Sequence, residues 1–398
     1  KIAFRTALNC QSCRCSLVEG DKALSNRVIL YIHAEFEGNL GNVVSNNLLI
    51  DIHTWKIASP TSRPRFRSIS LEHYGKRTML DFGIALANID RLQSLELQGA
   101  ALPYGVKARL FEAAQSVHDD SMVGGAAQLL SGPPRVIGIV TGAHVPEKMP
   151  LGENDGPLGS VVLAQALRKI GHKVNFYTDD AAAMPIESLL DWLEIEASVV
   201  RLERGDEDAQ IDIANTLDVA VAVERLGGNP NGILYGATGV SRSDFRCNVD
   251  TLFNHMSKLG KSSIGIADGG NEIGCGKIYE IISQNLSELN FCDRTPCGGG
   301  VFSIVPTDVL VIATTSNLGC AGVVAALALL QGDAGLCHSA KDELRLIERG
   351  VEIGLTDGGT GKVIAAVDGV DATDHAALVG LMQSIVRRAL TGPEERGF

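Results

Sequence analysis

The sequence predicts an α/β protein with a doubly wound, mostly parallel sheet of the Rossmann-like class, preceded by a small β-containing N-terminal extension. Short apolar runs alternate with amphipathic stretches from residue 106 to residue 390. This rhythm is typical of βαβ units, in which a helix returns the chain to the start of the next parallel strand. Turns rich in Gly and Asp follow several of these runs directly, as expected for loops at the carboxyl ends of such strands.

The distribution of charge predicts a domain boundary near residue 100. Residues 1–100 hold 12 Lys and Arg against 9 Asp and Glu, whereas the remainder holds 23 against 38, so the net charge changes from +3 to −15. We therefore expect an N-terminal extension or small module over residues 1–100 and an α/β domain over residues 101–398. Apolar runs at 27–33 and 48–53 predict strands in the first part.

Two features of the N-terminal part each allow two interpretations. Cys10, Cys13 and Cys15 are spaced closely enough to bind a zinc ion, but no second Cys/His cluster lies nearby, so an oxidisable segment without a metal is the alternative. Three arginines within residues 63–67 are able to face an anion, although a solvated loop is the simpler interpretation.

In the C-terminal part, each strand prediction rests on a short apolar run bounded by glycine, proline or acidic residues. The helix predictions rest on apolar residues at helical spacing, as at Val106, Leu110 and Ala113. The predicted strands are 135–141, 173–178, 198–202, 218–224, 263–267, 309–314 and 363–368. The predicted helices are 106–130, 160–170, 185–192, 209–217, 249–259, 321–330, 342–349 and 375–390.

The composition argues against several classes of protein. Hydrophobic residues make up 45% of the 398-residue chain and charged residues 21%, which is ordinary for a globular protein with a sizeable core. The net charge of −12 argues against non-specific binding to nucleic acid or to an anionic membrane. The longest apolar runs, such as 320–330, are too short to span a bilayer. The remaining six of the nine cysteines are dispersed, which favours reduced thiols in the cytoplasm or in an organelle matrix such as that of mitochondria. A homo-oligomer is compatible with the sequence.

The stretch 264–276 is the strongest candidate for a functional site. It begins as an apolar run of the kind that forms a buried strand and ends in a glycine-rich turn that holds Asp268, Asn271 and Glu272. The glycines allow a sharp turn and a close approach of the backbone to a ligand. Beyond the carboxyl end of a parallel strand, this turn lies where doubly wound sheets bind their ligands.

Three further predicted strands lead to polar residues, and parallel strands bring all of these ends to one edge of the sheet. Several carboxylates at one edge need a cation, a basic partner or protons, and oxygen ligands suit Mg²⁺ or Mn²⁺. A turn at Asp155, a structural ion pair between Glu224 and Arg225, and a turn cap at Asp268 are the alternatives. The residues that follow the three strands are Glu153 and Asp155, Glu224 and Arg225, and Ser316 and Asn317.

Other catalytic motifs fit the sequence poorly. The chain contains no phosphate-binding Gly-x-x-x-x-Gly-Lys-Ser/Thr loop, and the glycine-rich turn after Asp268 does not match Gly-x-Gly-x-x-Gly, so no nucleotide cofactor is expected. There is no His-Glu-x-x-His and no Gly-x-Ser-x-Gly motif. Cys275 lies in the glycine turn, but a nucleophilic role would require a histidine partner that the neighbouring sequence does not supply.

An ordered series of motifs resembles the D-glutamate cyclase family, formerly a conserved domain of unknown function. The likeness extends over residues 104–390. Two substitutions, Asn154 in place of Thr and Leu318 in place of Trp, and the segment 285–305 depart from the family pattern. The motifs are Gly152-Glu-Asn-Asp-Gly-Pro-Leu-Gly159, Ala222-Val-Glu-Arg-Leu-Gly227, Asp268-Gly-Gly-Asn-Glu-Ile-Gly-Cys-Gly276, Thr315-Ser-Asn-Leu-Gly319, Thr356-Asp-Gly358 and Val367-Asp-Gly369.

The resemblance implies conversion of D-glutamate, or a similar acidic amino acid, to 5-oxo-D-proline with loss of water. Such a reaction needs a carboxylate base for the amine and a metal or cationic clamp for the γ-carboxylate. We expect catalytic roles for Asp268, Glu272 and Glu224. The expected metal ligands, some of which also serve as candidate bases, are Glu153, Asp155, Asp268 and Glu272. The expected substrate-binding residues are Arg225, which would bind a carboxylate, and Asn271, Ser316 and Asn317.

Two other functions are compatible with the same residues. A Mg²⁺- or Mn²⁺-dependent phosphohydrolase uses a similar acidic corner for phosphoryl transfer. A non-catalytic amino-acid-binding protein would bind D-glutamate tightly and release no product. Assays with D-glutamate and with a phosphate ester, with and without EDTA, distinguish these functions.

Overall fold

The computed structural model describes residues 13–18, 27–37, 43–53, 82–97 and 102–391, the first three ranges as backbone strands only. The chain divides into two compact units, Lys1–Glu72 and His73–Phe398. The domain boundary near residue 100 stays a prediction. The predictions for the side chains of Cys10, Cys13 and Cys15 and for the arginines of 63–67 lie outside the described residues.

The described part of the first unit is a three-stranded antiparallel sheet. Strands β1 (Cys13–Val18), β2 (Arg27–Glu37) and β3 (Val43–His53) lie in the order β1-β2-β3. Arg27 lies opposite His53 and Glu37 opposite Val43, so β2 and β3 pair along their whole length. These two strands include the apolar runs that predicted strands in this part of the sequence.

The second unit is built on a six-stranded parallel sheet in the order β6-β5-β4-β7-β8-β9. Counted from the first strand of this unit, the order is 3-2-1-4-5-6, which is the doubly wound Rossmann arrangement. The predicted fold class of this unit is therefore confirmed. The strands are β4 (Val136–Val140), β5 (Lys173–Asp179), β6 (Ser198–Leu202), β7 (Val219–Val223), β8 (Ser262–Ala267) and β9 (Val309–Ile312).

Helices flank the sheet, and four predictions about the elements need correction. The helix predicted over 185–192 begins earlier, at Asp180. The predicted helix 106–130 is two helices, because Ser121 caps a new one by accepting from Gly124 N. The predicted strand 363–368 is reduced to β10 (Ala366–Val367), which pairs with β11 (Val370–Asp371) in a small hairpin. The helix predicted from residue 321 begins earlier, at Ser316. The helices are α1 (Gly83–Gln93), α2 (Val106–Ser116), α3 (Met122–Leu130), α4 (Pro157–Lys169), α5 (Asp180–Trp192), α6 (Glu207–Thr216), α7 (Asp250–Lys258), α8 (Tyr279–Asn285), α9 (Ser287–Asn290), α10 (Ser316–Gln331), α11 (Ala340–Glu352) and α12 (Ala372–Thr391).

Strand β7 shows why the central strands are apolar throughout. Val219, Val221 and Val223 point into the core that includes residues of α3, α4 and α10, whereas Ala220 and Ala222 pack in the core on the side of α6 and α7. Because both faces are covered, side chains of both parities are buried. Among the described helices, none combines the length and the apolar character needed to span a membrane.

The arrangement of the strands defines where a ligand can bind. Strands β4 and β7 are neighbours in the sheet, and the connections that follow them leave in opposite directions. In doubly wound sheets the crevice at this switch point, beyond the carboxyl ends of the strands, holds the ligand. The loops that follow β4, β7, β8 and β9 carry the acidic and polar residues described next.

Candidate active site

Three carboxylates meet beyond the sheet edge. Asp155, Glu224 and Asp268, from the loops after β4, β7 and β8, each place a carboxylate oxygen within 4.8 Å of those of the other two. The predicted metal ligands therefore only partly coincide with this group, since Glu224 belongs to it and Glu153 and Glu272 lie outside it. The convergence follows from topology, because parallel strands deliver their carboxyl ends to one edge.

Glu224 is held in a strained backbone conformation at the end of β7. Its φ of +50° lies in the left-handed region, and its amide nitrogen donates to Ile266 O on the neighbouring strand at 3.1 Å. Its Oε2 accepts from Ser316 Oγ at 2.6 Å. Burial, reinforced by the charges of Asp268 and Glu272, raises the pKa of Glu224 well above its usual value. Strain of this kind is characteristic of functional sites.

Asp155 and Asn317 cap each other's helices. The Asp155 carboxylate accepts from the amide nitrogens of Ser316 and Asn317, at 3.0 and 2.8 Å, in the first turn of α10. In return, Asn317 Oδ1 accepts from the amide nitrogens of Gly156 and Gly159, at 2.9 and 2.6 Å, at the start of α4. The side-chain amide of Asn317 is thus bonded to the backbone, and its predicted role in substrate binding stays a prediction.

Lys107 brings a buried positive charge to the acids. Its Nζ lies 2.5 Å from Asp268 Oδ2, 2.5 Å from Asp368 Oδ2 and 2.5 Å from Thr314 O. Burial alone would lower the pKa of Lys107, but the two carboxylates raise it well above the usual value. Sequence reasoning missed Lys107, because a single lysine in the first turn of α2, 161 positions from Asp268 in the chain, has no local signal.

Asp368 reaches the site from the hairpin of β10 and β11. Its φ of +47° places it in the left-handed region at the tip of the hairpin. Asp357 fixes this tip, because its Oδ1 accepts from Gly369 N at 2.8 Å and its Oδ2 from Thr360 N at 2.8 Å. The Val367-Asp-Gly369 motif was noted in the sequence, and an Asp-Gly turn after a short apolar run was the signal for this acid.

Glu153 adds a further acid with a perturbed pKa. Burial, reinforced by Asp155, raises the pKa of Glu153 to about 8, against the opposing charge of Arg246. Burial and the charge of Asp368 raise the pKa of Asp155 to about 6. The backbone of Gly358 approaches Glu153 so closely that a Cβ there would lie 2.3 Å from Oε2. These carboxyl groups can therefore exchange protons near neutral pH.

Asn271 and Glu272 shape the glycine-rich turn. Glu272 Oε1 accepts from Gly269 N at 2.8 Å, and Asn271 Nδ2 donates to Tyr235 O at 2.8 Å. Burial raises the pKa of Cys275 well above its usual value, and its Sγ lies 3.7 Å from Glu272 Oε2. The thiol is therefore protonated and is not an activated nucleophile. The catalytic role of Glu272 and the substrate role of Asn271 stay predictions.

Arg225 pairs with Asp179 rather than with Glu224. It donates to Asp179 from Nη1 at 2.6 Å and from Nη2 at 3.1 Å, and its other two terminal hydrogen bonds go to Gly142 O and Cys247 O. Asp179 precedes α5 but makes no side-chain cap there. All four hydrogen bonds go to protein groups, and the binding of a substrate carboxylate by Arg225 stays a prediction.

The donor set fits a hard divalent cation. Asp155, Glu224 and Asp268 offer carboxylate oxygens, which Mg²⁺ and Mn²⁺ prefer. Burial and mutual repulsion raise the pKa values of these acids, so a cation would relieve an existing electrostatic cost. Lys107 offsets part of the charge on Asp268.

The fold and the site define a Rossmann-like α/β protein with an acidic, cation-compatible ligand site at the switch point of its sheet. Residues 105–383 match the family described as D-glutamate cyclase-like, C-terminal. The chain belongs to this family, as its ordered motifs indicated.

One relative is the human mitochondrial D-glutamate cyclase, which is 28% identical over 195 residues. The match covers 45% of this chain and 30% of that protein's length. Among solved structures, a short-chain dehydrogenase/reductase mutant of Serratia marcescens has a TM-score of 0.23 and 14% identity over 39% of this chain and 65% of its own. A dehydrogenase/reductase of Sinorhizobium meliloti has a TM-score of 0.24 and 15% identity over 65% and 91%. Scores this low support no statement about function.

Proposed function

We propose that this protein converts D-glutamate, or a closely similar acidic amino acid, to 5-oxo-D-proline and water. The observation that carries the proposal is the buried group of Asp155, Glu224 and Asp268 with Lys107 beside it. Membership of the D-glutamate cyclase-like family and the likeness to the human enzyme support the choice of substrate.

The amine of the substrate must lose a proton before it can attack. The amine nitrogen then forms a bond to the γ-carboxyl carbon, the bond from that carbon to one oxygen breaks, and the oxygen leaves as water with the two protons that nitrogen gives up. Glu153, whose pKa is raised to about 8 by burial, is matched to accept a proton from an ammonium group near neutral pH. Glu153, once it has taken up a proton, can pass it on to the leaving oxygen, so that Glu224 stays available as a carboxylate for a cation.

The γ-carboxylate is a poor electrophile until its charge is neutralised. Lys107 Nζ, 2.5 Å from Asp268 Oδ2, supplies a fixed positive charge close to the carboxylates. Asp155, Glu224 and Asp268 would hold a divalent cation, whose chemistry is the polarisation of the carboxyl group and stabilisation of negative charge on its oxygens. Ser316 Oγ, bonded to Glu224 Oε2, keeps that acid oriented.

The predicted context of the protein also remains a proposal. We infer that its partner is a small acidic molecule and that it acts in the cytoplasm or in an organelle matrix, where thiols stay reduced. The human relative is named as a mitochondrial enzyme. The oligomeric state, including a homo-oligomer, is open to measurement by light scattering.

The test is an assay of the purified full chain with D-glutamate, with and without Mn²⁺, and with EDTA, followed by chiral analysis of the product. Asp268→Asn should lower turnover by about 100-fold or more while the fold is kept, because Lys107 retains Asp368 and Thr314 O as partners. Full activity in this variant would refute the assigned role. Hydrolysis of a phosphate ester in place of cyclisation would identify a phosphohydrolase, and tight D-glutamate binding without product a binding protein.

A further inference from the structure

Two arginines at the acidic site form no ion pair with any described residue. Arg242 and Arg246 lie in the loop 224–249 between β7 and α7. Arg225, in the same loop, pairs with Asp179. Within the described part of the chain, neither Arg242 nor Arg246 has a carboxylate within ion-pairing distance. A buried arginine without a protein counter-ion is costly and needs an explanation.

Arg246 is the more buried of the two. The residue is only 6% exposed, and its Nε donates to His144 O at 2.9 Å. Its two terminal nitrogens donate to no residue that the structure describes. His144 itself is 8% exposed, packs edge-on against Phe245 with ring centroids 5.5 Å apart, and has no described hydrogen-bond partner for Nδ1. Arg246 thus has donors without a protein acceptor, and it is hydrogen-bonded to the backbone of a buried histidine whose Nδ1 is also unpaired.

A short backbone segment connects Arg246 to the acids. Ala143 O accepts from Glu153 N at 3.2 Å, and the next carbonyl, that of His144, accepts from Arg246 Nε. Burial lowers the pKa of Arg246 to about 10, while the charge of Glu153 acts in the opposite direction. Arg246 is therefore charged at neutral pH and lies near Glu153 without touching it.

Arg242 is held beside the same site through the glycine-rich turn. Its guanidinium lies against Gly236, where a Cβ would come within 2.9 Å of Nη2. The preceding residue, Tyr235, accepts a hydrogen bond from Asn271 Nδ2 in the turn after β8. The backbone that supports Arg242 is thus fixed to the element that carries Asp268.

We propose that Arg246, assisted by Arg242, binds the α-carboxylate of an acidic amino acid whose γ-carboxyl group lies toward Lys107 and the three clustered acids. This proposal rests on the proposed function, since it concerns the substrate of the same site. The acids alone would repel an anionic substrate, whereas a guanidinium can bind a carboxylate with two parallel hydrogen bonds. The terminal nitrogens of Arg246 are the groups left for the ligand.

The test compares Arg246→Met, Arg246→Lys and the control Arg201→Met in the full chain with Mn²⁺. Arg201 lies on the surface at the far edge of the sheet and pairs with Asp180 and Glu187. We expect Arg246→Met to raise the KM for D-glutamate by roughly 10- to 100-fold with a smaller change in kcat. Arg246→Lys should recover part of the loss, and Arg201→Met should match the wild type. Calorimetric D-glutamate binding provides a readout independent of turnover.

A second substrate locates the contact on the α-carboxylate. The α-amide of D-glutamate keeps the amine and the γ-carboxyl group but lacks the α-carboxylate, so the wild type should disfavour it and Arg246→Met should lose that preference. Unchanged KM and unchanged preference in Arg246→Met, with wild-type turnover present, would overturn this inference and leave the proposed function standing. If the wild type bound D-glutamate without forming product, and Arg246→Met lost that binding, this inference would stand and the proposed function would be overturned. Absence of any D-glutamate binding to the wild type would overturn both.

Discussion

Glu224 shows at the scale of one residue how the site departs from what stability alone favours. A non-glycine residue with a φ of +50° is strained by about 1 kcal/mol or more, and its carboxyl group is buried among other acids. Two hydrogen bonds hold it in place, one that its amide nitrogen donates to Ile266 O and one that its carboxylate accepts from Ser316 Oγ. Both the backbone conformation and the buried carboxyl group of Glu224 are unfavourable for stability, yet the residue is firmly held at the strand end. We therefore expect it to take part in the chemistry.

Replacing Glu224 with Gln is therefore expected to stabilise the protein and to inactivate it. The folded-state pKa of Glu224 is raised, so the wild type loses stability as the pH rises above the ordinary pKa of a glutamate. The Gln variant carries no titratable group there and does not lose this stability. Thermal unfolding should show a higher Tm for Glu224→Gln at pH 8 and little difference at pH 4.5, while turnover falls by about 100-fold or more. A lower Tm at pH 8 would contradict this account.

The sequence identified the acids of the site better than their partners. Asp268 and Glu224 were predictable because each directly follows an apolar run, and topology then places them together. Lys107 was not, since its contact with Asp268 depends on how α2 packs at the sheet edge. Arg225 adjoins Glu224 in sequence, but the chain leaves the extended conformation at Glu224, whose φ is +50°, and Arg225 pairs with Asp179 instead.

At the scale of elements, the site is assembled by two helix starts that stabilise each other. Asp155, just before α4, accepts from the first turn of α10, and Asn317, in that turn of α10, accepts from the start of α4. This exchange explains why the start of α10 was predicted five residues late, at 321. Thr315-Ser-Asn has the polar composition of a loop, but Thr315 Oγ1 accepts from Leu318 N as a helix cap.

Truncation of Asn317 should therefore destabilise both helices. Asn317→Ala leaves the buried amide nitrogens of Gly156 and Gly159 without their acceptor, which should lower the free energy of unfolding by about 2–4 kcal/mol. Ser339→Ala, which removes the exposed cap of α11, is the matched control and should cost about 1 kcal/mol. Urea unfolding measures both, and equal losses would show that the exchange of caps has no special weight.

At the scale of the whole molecule, the alternation of apolar runs and amphipathic stretches was enough to predict the doubly wound class, whereas the boundary near residue 100 rested on the change of charge and stays a prediction. Helix α1 lies before the predicted boundary at residue 100 and before the family match that begins at residue 105. Nevertheless, Asp90 accepts from Met122 N and Val123 N at the start of α3, and Gln93 O accepts from Thr314 N. The change of charge at residue 100 does not report such contacts, because they are made by buried groups.

The concentration of acids at one sheet edge makes the stability of the whole unit depend on pH and on cations. The folded-state pKa values of Asp155 and Glu153, about 6 and about 8, exceed their usual values of 3.8 and 4.5. For groups shifted upward, the folded state binds protons more tightly than the unfolded chain does. Their contribution is therefore present in full below about pH 4 and is lost as pH rises toward 8.

The free energy of unfolding, measured without metal, should thus fall by about 5 kcal/mol between pH 5 and pH 8. Millimolar Mn²⁺ should restore about 2–3 kcal/mol at pH 8 if it occupies the site at about 100 times its Kd, and much less at pH 5, where protons compete. Asp155→Asn with Glu153→Gln is the matched variant and should show a flatter pH profile and little response to Mn²⁺. If the free energy of unfolding of the wild type did not change from pH 5 to 8, or if Mn²⁺ stabilised the variant equally, the cation effect would not arise from these acids. Asp155, Glu224 and Asp268 lie together in one small volume, so protons and a divalent ion are alternative means of neutralising the same charge. For this reason we expect the stability of the wild type to depend steeply on pH and only the wild type to respond to the cation.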